Sequence, residues 1–165
     1  MLTLGIDPGV ATTGFGLVRL LGDRLLYVQH GCILTTPKDS PQQRLAKIYA
    51  EMKQLILEHK PHFIAVERLF FGENSKTAMA VGQARGIVML AAAEAKVHLS
   101  EYTPLEVKVA ITGYGKADKK QIQQMVKTLL KMPDIPKPDD AADALAIAIC
   151  HLHSHKLNSK ELVRL

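Results

Sequence analysis

Four acidic residues from three distant segments have the right types to do chemistry together. Asp7 ends an apolar run, Glu67 ends another, and Asp140 with Asp143 opens a helical segment late in the chain. Carboxylates gathered from such distances repel one another unless something cationic stands between them. Two divalent ions held among them would form a phosphodiester-cutting centre, because each can stabilise one of the attacking and leaving oxygens of an in-line displacement. An all-oxygen donor set suits hard cations, whereas zinc would favour His and Cys.

Each acid taken singly has a plainer explanation. Asp139 and Asp140 can complement the positive end of a helix, a stabilisation of about 0.3 to 1 kcal/mol, and Asp7 can start a turn. Asp143 resists this account, since it lies beyond the first residues of the helix beside an alanine-rich face, where an unpartnered charge is costly. Asp140 and Asp143 share a helical face at i, i+3, and Asp139 and Asp143 do so equally well at i, i+4. Spacing alone therefore leaves both pairs open.

The elements that must position these acids follow from periodicity. Leu2 to Ile6, Thr13 to Leu20 and Leu25 to Leu34 read as three sequential antiparallel strands. Asp7-Pro8-Gly9 joins the first two with type II turn chemistry, Pro presetting φ and Gly accepting a positive φ; Gly22-Asp23 marks the second turn. From Gln42 to Lys60 the apolar residues Leu45, Ile48, Tyr49, Met52, Leu55 and Ile56 recur at helical spacing, and Pro61 closes the run. His62 to Val66 is a fourth strand that delivers Glu67. Ser75 to Lys96 is a long alanine-rich helix, Val97 to Tyr102 a fifth strand, and a short helix begins near Pro104. After the Gly113-Tyr114-Gly115 break comes a basic helix from about Asp118 to Lys131, then a stiff connector with Pro133, Pro136 and Pro138. The last helix starts near Asp139 with Ala141, Leu145, Ala148, Ile149 and Leu152 on one side. The economical arrangement is one α/β domain over residues 1–156, a five-stranded mixed sheet flanked by helices, with a polar tail at 157–165.

Bulk properties agree with one packed domain on nucleic acid. The 165 residues are 47% hydrophobic, ample for a continuous core, and 21 Lys and Arg against 16 Asp and Glu leave a formal charge of +5, which favours a polyanionic partner. Cys32 and Cys150 are too few for a disulfide scaffold and read as buried small hydrophobes. Met1 to Ile6 has no secretory character, and the longest uncharged stretch, Ala144 to His155, is shorter than the roughly 18 residues of a membrane span. The expected location is the cytoplasm, with no membrane association.

The motifs then resemble a known family. Leu4-Gly5-Ile6-Asp7-Pro8-Gly9 with Thr13-Gly14-Phe15-Gly16, Val66-Glu67 with Phe70, Gly82-Gln83-Ala84-Arg85-Gly86 and Asp140-Ala141-Ala142-Asp143-Ala144-Leu145-Ala146 closely resemble the RuvC Holliday junction resolvases, in order and over nearly the whole chain. The resemblance implies a ribonuclease H-like fold. It also implies a homodimeric endonuclease that nicks two strands of like polarity across a four-way DNA junction, in recombination and repair, using two Mg²⁺ or Mn²⁺ ions and leaving 5′-phosphate and 3′-hydroxyl ends. Its metal ligands would be Asp7, Glu67, Asp140 and Asp143, which makes Asp139 a cap. It further implies the RuvA–RuvB branch-migration complex as a partner.

Lys116, Lys119 and Lys120 cluster beside the glycine break, with Lys108 one short helix earlier. A solvated helix face would account for them; basic charge and the resemblance favour phosphate contacts at Lys108, Lys119 and Lys120. Phe70 and Phe71 follow Glu67, and Phe70 resembles a family aromatic that stacks on an unpaired base, while Phe71 suits a packed loop anchor. Gly82 and Gly86 give one helix a small-residue face, suited to packing on the sheet or, by the resemblance, on a twofold mate. His151, His153 and His155 invite a metal site, but their spacing spreads the rings around one helix. Three rivals remain. An actin-type ATPase would need a second acidic-glycine loop and a longer chain, and no Walker Gly-Lys-Ser/Thr occurs. A non-catalytic junction-binding protein, or a YqgF-like nuclease of RNA, would keep the fold and change the outcome.

Overall fold

The computed structural model describes the backbone of residues 1–68 and 75–162 and the side chains of 1–68 and 78–155. In chain order the elements are β1 (Leu2–Asp7), β2 (Thr12–Leu21), β3 (Arg24–Leu34), α1 (Pro41–His59), β4 (Phe63–Glu67), α2 (Ser75–Glu94), β5 (His98–Tyr102), α3 (Pro104–Thr112), α4 (Lys119–Leu129) and α5 (Asp139–Leu162). They build a five-stranded mixed sheet in the order β3-β2-β1-β4-β5. β1, β2 and β3 pair antiparallel, while β4 and β5 add in parallel beyond β1.

Alternation along each strand splits the core into two layers. Leu2, Leu4 and Ile6 of β1, Phe15 and Leu17 of β2 and Ile64 of β4 pack against Ile48, Met52 and Ile56 of α1 and Ala84, Val88, Ala91 and Ala92 of α2. The opposite face contributes Val18 and Ala65, covered by Val107 and Ile111 of α3, Val126 of α4 and the apolar residues of α5. The last helix, expected to be apolar on one side only, is buried nearly all round from Ala141 to Leu152, because α3 and α4 cover the side that the sheet does not. It also continues to Leu162, through part of the segment expected as a polar tail.

Local chemistry sets the helix boundaries. Ser40 with Gln43, Thr103 with Glu106 and Asp118 with Gln121 form reciprocal capping boxes, and Pro41 and Pro104 occupy first-turn positions that need no N–H partner. Gly22, in the expected second turn between β2 and β3, has a positive φ of 58°. Gly9 does not follow the type II expectation, since it is not among the positive-φ glycines. It is required by crowding instead: a Cβ there would stand 2.4 Å from the Thr12 carbonyl oxygen. The Thr13 hydroxyl donates to the Gly9 carbonyl at 2.6 Å and ties this turn back onto β2.

Candidate active site

Strand pairing brings the first two acids together. Ile6 of β1 lies opposite Val66 of β4 in a parallel ladder, so Asp7 and Glu67 leave the same end of adjacent strands. Ile6 packs toward α1 and α2, so alternation turns Asp7 to the α5 side; Ala65, on the α5 side of β4, turns Glu67 likewise.

Three glycines seat α5 on that face. A Cβ on Gly5 would lie 2.1 Å from the Ala144 carbonyl oxygen, one on Gly16 2.7 Å from the Leu145 nitrogen, and one on Gly14 2.1 Å from the Asp140 carbonyl oxygen. Gly14 is the register partner of Asp7. The start of α5 is thus pressed against β1 and β2 at the point where the first acid emerges, which carries Asp140 and Asp143 to it.

The acids sense one another. Burial, then the charges of Asp143, Glu67 and Asp140, push the Asp7 carboxyl up to about 7, against a smaller opposing pull from Lys119. Burial and Asp143 also raise Glu67, with Lys108 pulling the other way. Asp143 is raised chiefly by burial, although Lys119 offsets part of the effect. Such a group of half-buried, mutually repelling carboxylates favours protons or cations over ionisation in isolation.

A pocket of about 240 Å³ opens beside them, walled by Glu67, Asp143, Lys108, Lys119 and the apolar Val107, Ala146 and Ile147. Asp7 and Asp140 lie outside its lining but within reach of its charge. The Lys119 ammonium is 3.1 Å from Asp143 Oδ2 and 3.2 Å from Asp139 Oδ2. Among the described residues, no three His, Cys, Asp or Glu side chains are close enough to hold one ion without moving; the Asp143 carboxylate is turned to Lys119. The donor set is nonetheless all oxygen and charge-rich, which fits hard divalent cations.

The basic cluster divides. Lys119 and Lys108 reach the acidic pocket, whereas Lys120 lines a neighbouring groove of about 760 Å³ with Tyr114, Gln121, Gln124, Ile135 and Lys137. Lys116 is exposed. Phe70 and Phe71 lie outside the described residues. Asp139, expected as a helix cap, is the first residue of α5 and spends its carboxylate on α4, accepting from Gln123 Nε2 at 3.0 Å as well as pairing with Lys119.

The histidines of α5 are engaged in packing. His151 is buried, its Nδ1 2.9 Å from the Tyr102 hydroxyl and its ring 4.7 Å from that of Phe63; burial first, then His155 and His98, pull it down to about 4. His153 Nδ1 donates to the Ala110 carbonyl. His151 and His155 are not spread apart as expected, since i, i+4 spacing brings both rings to Phe63. Cys150 is buried, with its thiol pushed up to about 12, while Cys32 is only half-buried; both are free.

Sequence reasoning passed over the glycine seat, although Gly5, Gly14 and Gly16 alternate on one face of two strands, the signal of a close backbone approach. It also passed over Arg85, which reaches from α2 to pair with Glu101 of β5, where Arg68 stands 3.8 Å away.

Known proteins are similar to this chain in sequence and in fold. Residues 3–151 match the family model described as "Crossover junction endodeoxyribonuclease RuvC". A protein of that name from Desulfitobacterium hafniense is 55% identical over 157 residues, covering 95% of each chain. One from Pelotomaculum thermopropionicum is 50% identical over 97% of this chain and 98% of its own. The structure described as Thermus thermophilus RuvC in complex with Holliday junction substrate superposes with a TM-score of 0.92 at 34% identity, covering 96% of both chains. This chain therefore belongs to the RuvC family of crossover junction endodeoxyribonucleases, and its mixed sheet has the ribonuclease H-like fold.

Proposed function

We propose that the protein resolves Holliday junctions by paired, symmetric nicks, with Asp7, Glu67, Asp140 and Asp143 as the ligands of two Mg²⁺ ions that Mn²⁺ can replace. Metal dependence is the family's character; the observation that carries the ligand assignment is the convergence of β1, β4 and the start of α5, where the charges of Asp143, Glu67 and Asp140 all bear on Asp7. Bound there, the two ions would supply Lewis acidity for an in-line displacement at phosphorus, leaving 5′-phosphate and 3′-hydroxyl ends.

The protein's own groups do the rest. Asp7, half-buried and under the charge of the other three acids, would hold the ions together with them. Glu67 and Asp143 wall the pocket in which the scissile phosphate would sit, and Lys108 and Lys119 on its rim would hold that phosphate's oxygens. Lys120, in the adjoining groove, would contact the backbone further along. Phe70 is assigned to stacking on an unpaired base at the crossover, by its place in the motif alone.

Two cuts of like polarity need two sites related by a dyad. The outer face of α2 supports a homodimer: Met79, Met89 and Leu90 are exposed there, and a Cβ on Gly86 would meet nothing within 4 Å. The RuvA–RuvB branch-migration complex is the proposed partner on the junction. No helix among the described residues is long and apolar enough to cross a membrane.

Incubating the protein with a synthetic four-way junction, a plain duplex and an RNA/DNA hybrid, each with Mg²⁺, tests the assignment. Symmetric incision of the junction alone is expected, and Asp7→Asn should bind the junction without cutting it. Equal rates on all three substrates would reassign the enzyme to another nucleic acid; binding without incision would leave a structural junction protein.

A further inference from the structure

Lys119 stands where helix stability does not ask for it. It is the first residue of α4, and a cation at a helix N-terminus opposes the macrodipole, so Asp118 and Gln121 cap the helix without its help. Its ammonium is instead shared between two carboxylates one helical turn apart on α5, Asp139 and Asp143. The two acids differ in what surrounds them. Asp143 belongs to the half-buried cluster around Asp7 and Glu67, while Asp139 is exposed and its other oxygen is fixed by Gln123, one turn beyond Lys119 on α4. An i, i+4 pair on one helix thus docks against an i, i+4 pair on the other.

We infer that Asp139 is a positioning residue: braced by Gln123, it gives the Lys119 ammonium a partner outside the acidic cluster, so that Asp143 can turn to a cation while Lys119 stays at the pocket rim. Without Asp139, the ammonium keeps Asp143 as its one carboxylate partner among the described residues and competes with a divalent ion for it. With Asp139, the two positive charges are served by different oxygens. The inference rests on Asp143 being a metal ligand, as proposed above, and adds a residue that the ligand set does not contain.

Mn²⁺ binding to the full chain without DNA, followed by calorimetry and by the spectrum of the bound ion, tests it apart from activity. Measurements at high salt screen the long-range charge of position 139. Asp139→Asn should weaken Mn²⁺ binding, on the order of threefold as for a partly exposed ion pair, and Asp139→Glu should restore much of it. In a Lys119→Met background, where no ammonium competes, Asp139→Asn should have no further effect. Equal binding by the parent and Asp139→Asn would overturn the inference. An undiminished loss in the Lys119→Met background would do so too, since Asp139 would then act through its own charge. Absence of Mn²⁺ binding by the parent, or its persistence in Asp7→Asn, would instead defeat the ligand assignment on which the inference stands.

Discussion

Gly14 and Asp140 are in backbone contact: a Cβ at position 14 would stand 2.1 Å from the Asp140 carbonyl oxygen. Because Gly14 is also the register partner of Asp7, one residue without a side chain both pairs with the first acid and seats the third. Gly14→Ala must push the start of α5 off the sheet, since the obstructing atom is backbone and cannot rotate away. Denaturant unfolding should show a loss of about 1 to 3 kcal/mol, the usual cost of overpacking. Junction incision should fall further than stability accounts for, because Asp140 and Asp143 move with the helix. Unimpaired cutting by Gly14→Ala would show that the acids need no such seat.

The Asp7 carboxyl makes folding and function oppose each other. Its value in the fold is about 7 against 3.8 for a free aspartate. Between those limits the folded state keeps a proton that the unfolded chain has released, so stability declines as pH rises through this window. Asparagine carries no proton to lose. Asp7→Asn should therefore melt higher than the parent at about pH 8, by a few degrees for each kcal/mol relieved, and the gap should close near pH 4. Adding Mg²⁺ should narrow the gap at the higher pH by stabilising the parent alone. Identical melting of the two proteins at both pH values would mean that Asp7 is not strained.

The same elevation should set the acid limb of the cleavage profile. A protonated Asp7 cannot serve as an anionic ligand, so the incision rate should climb with pH up to about 7 and level off above it. With Asp7 as a metal ligand, cation and proton would compete for one carboxylate group, so raising Mg²⁺ should move the limb to lower pH. A limb that ignores the cation concentration would place the titrating group elsewhere.

What was legible in the sequence was whatever local periodicity encodes. The apolar spacing of Leu45, Ile48, Met52 and Ile56 marks α1, and short apolar runs mark the strands that end at Asp7 and Glu67. Turn conformation was less legible: Gly9 looked like a positive-φ residue, but its need arises from contact with Thr12, which a residue type cannot disclose. The role of Asp139 was hidden for a similar reason. Its neighbours in sequence suggested a cap, while its partners, Lys119 and Gln123, come from another helix. The all-round burial of α5 also depends on α3 and α4 folding over it, a tertiary fact that one-sided periodicity does not contain.

The outer face of α2 offers the clearest test of assembly. Helix faces that pack on their own sheet bury their apolar residues, as Ala84 and Val88 do at 0% exposure, yet Met79 is 71% exposed and Leu90 49%. Gly86 shares that outer stripe, and an added Cβ there meets open space. In a lone molecule Gly86→Glu should be harmless or favourable, since replacing glycine inside a helix gains up to about 1 kcal/mol. In a dimer packed through this face, the same change would bury a charge without a partner. Sedimentation velocity should then show the parent at twice the chain mass and Gly86→Glu at the chain mass, with melting no lower at dilute concentration. On a junction the variant should accumulate singly nicked product, because the second site no longer arrives with the first. A Gly86→Glu protein that still sediments as a dimer would remove α2 from the interface.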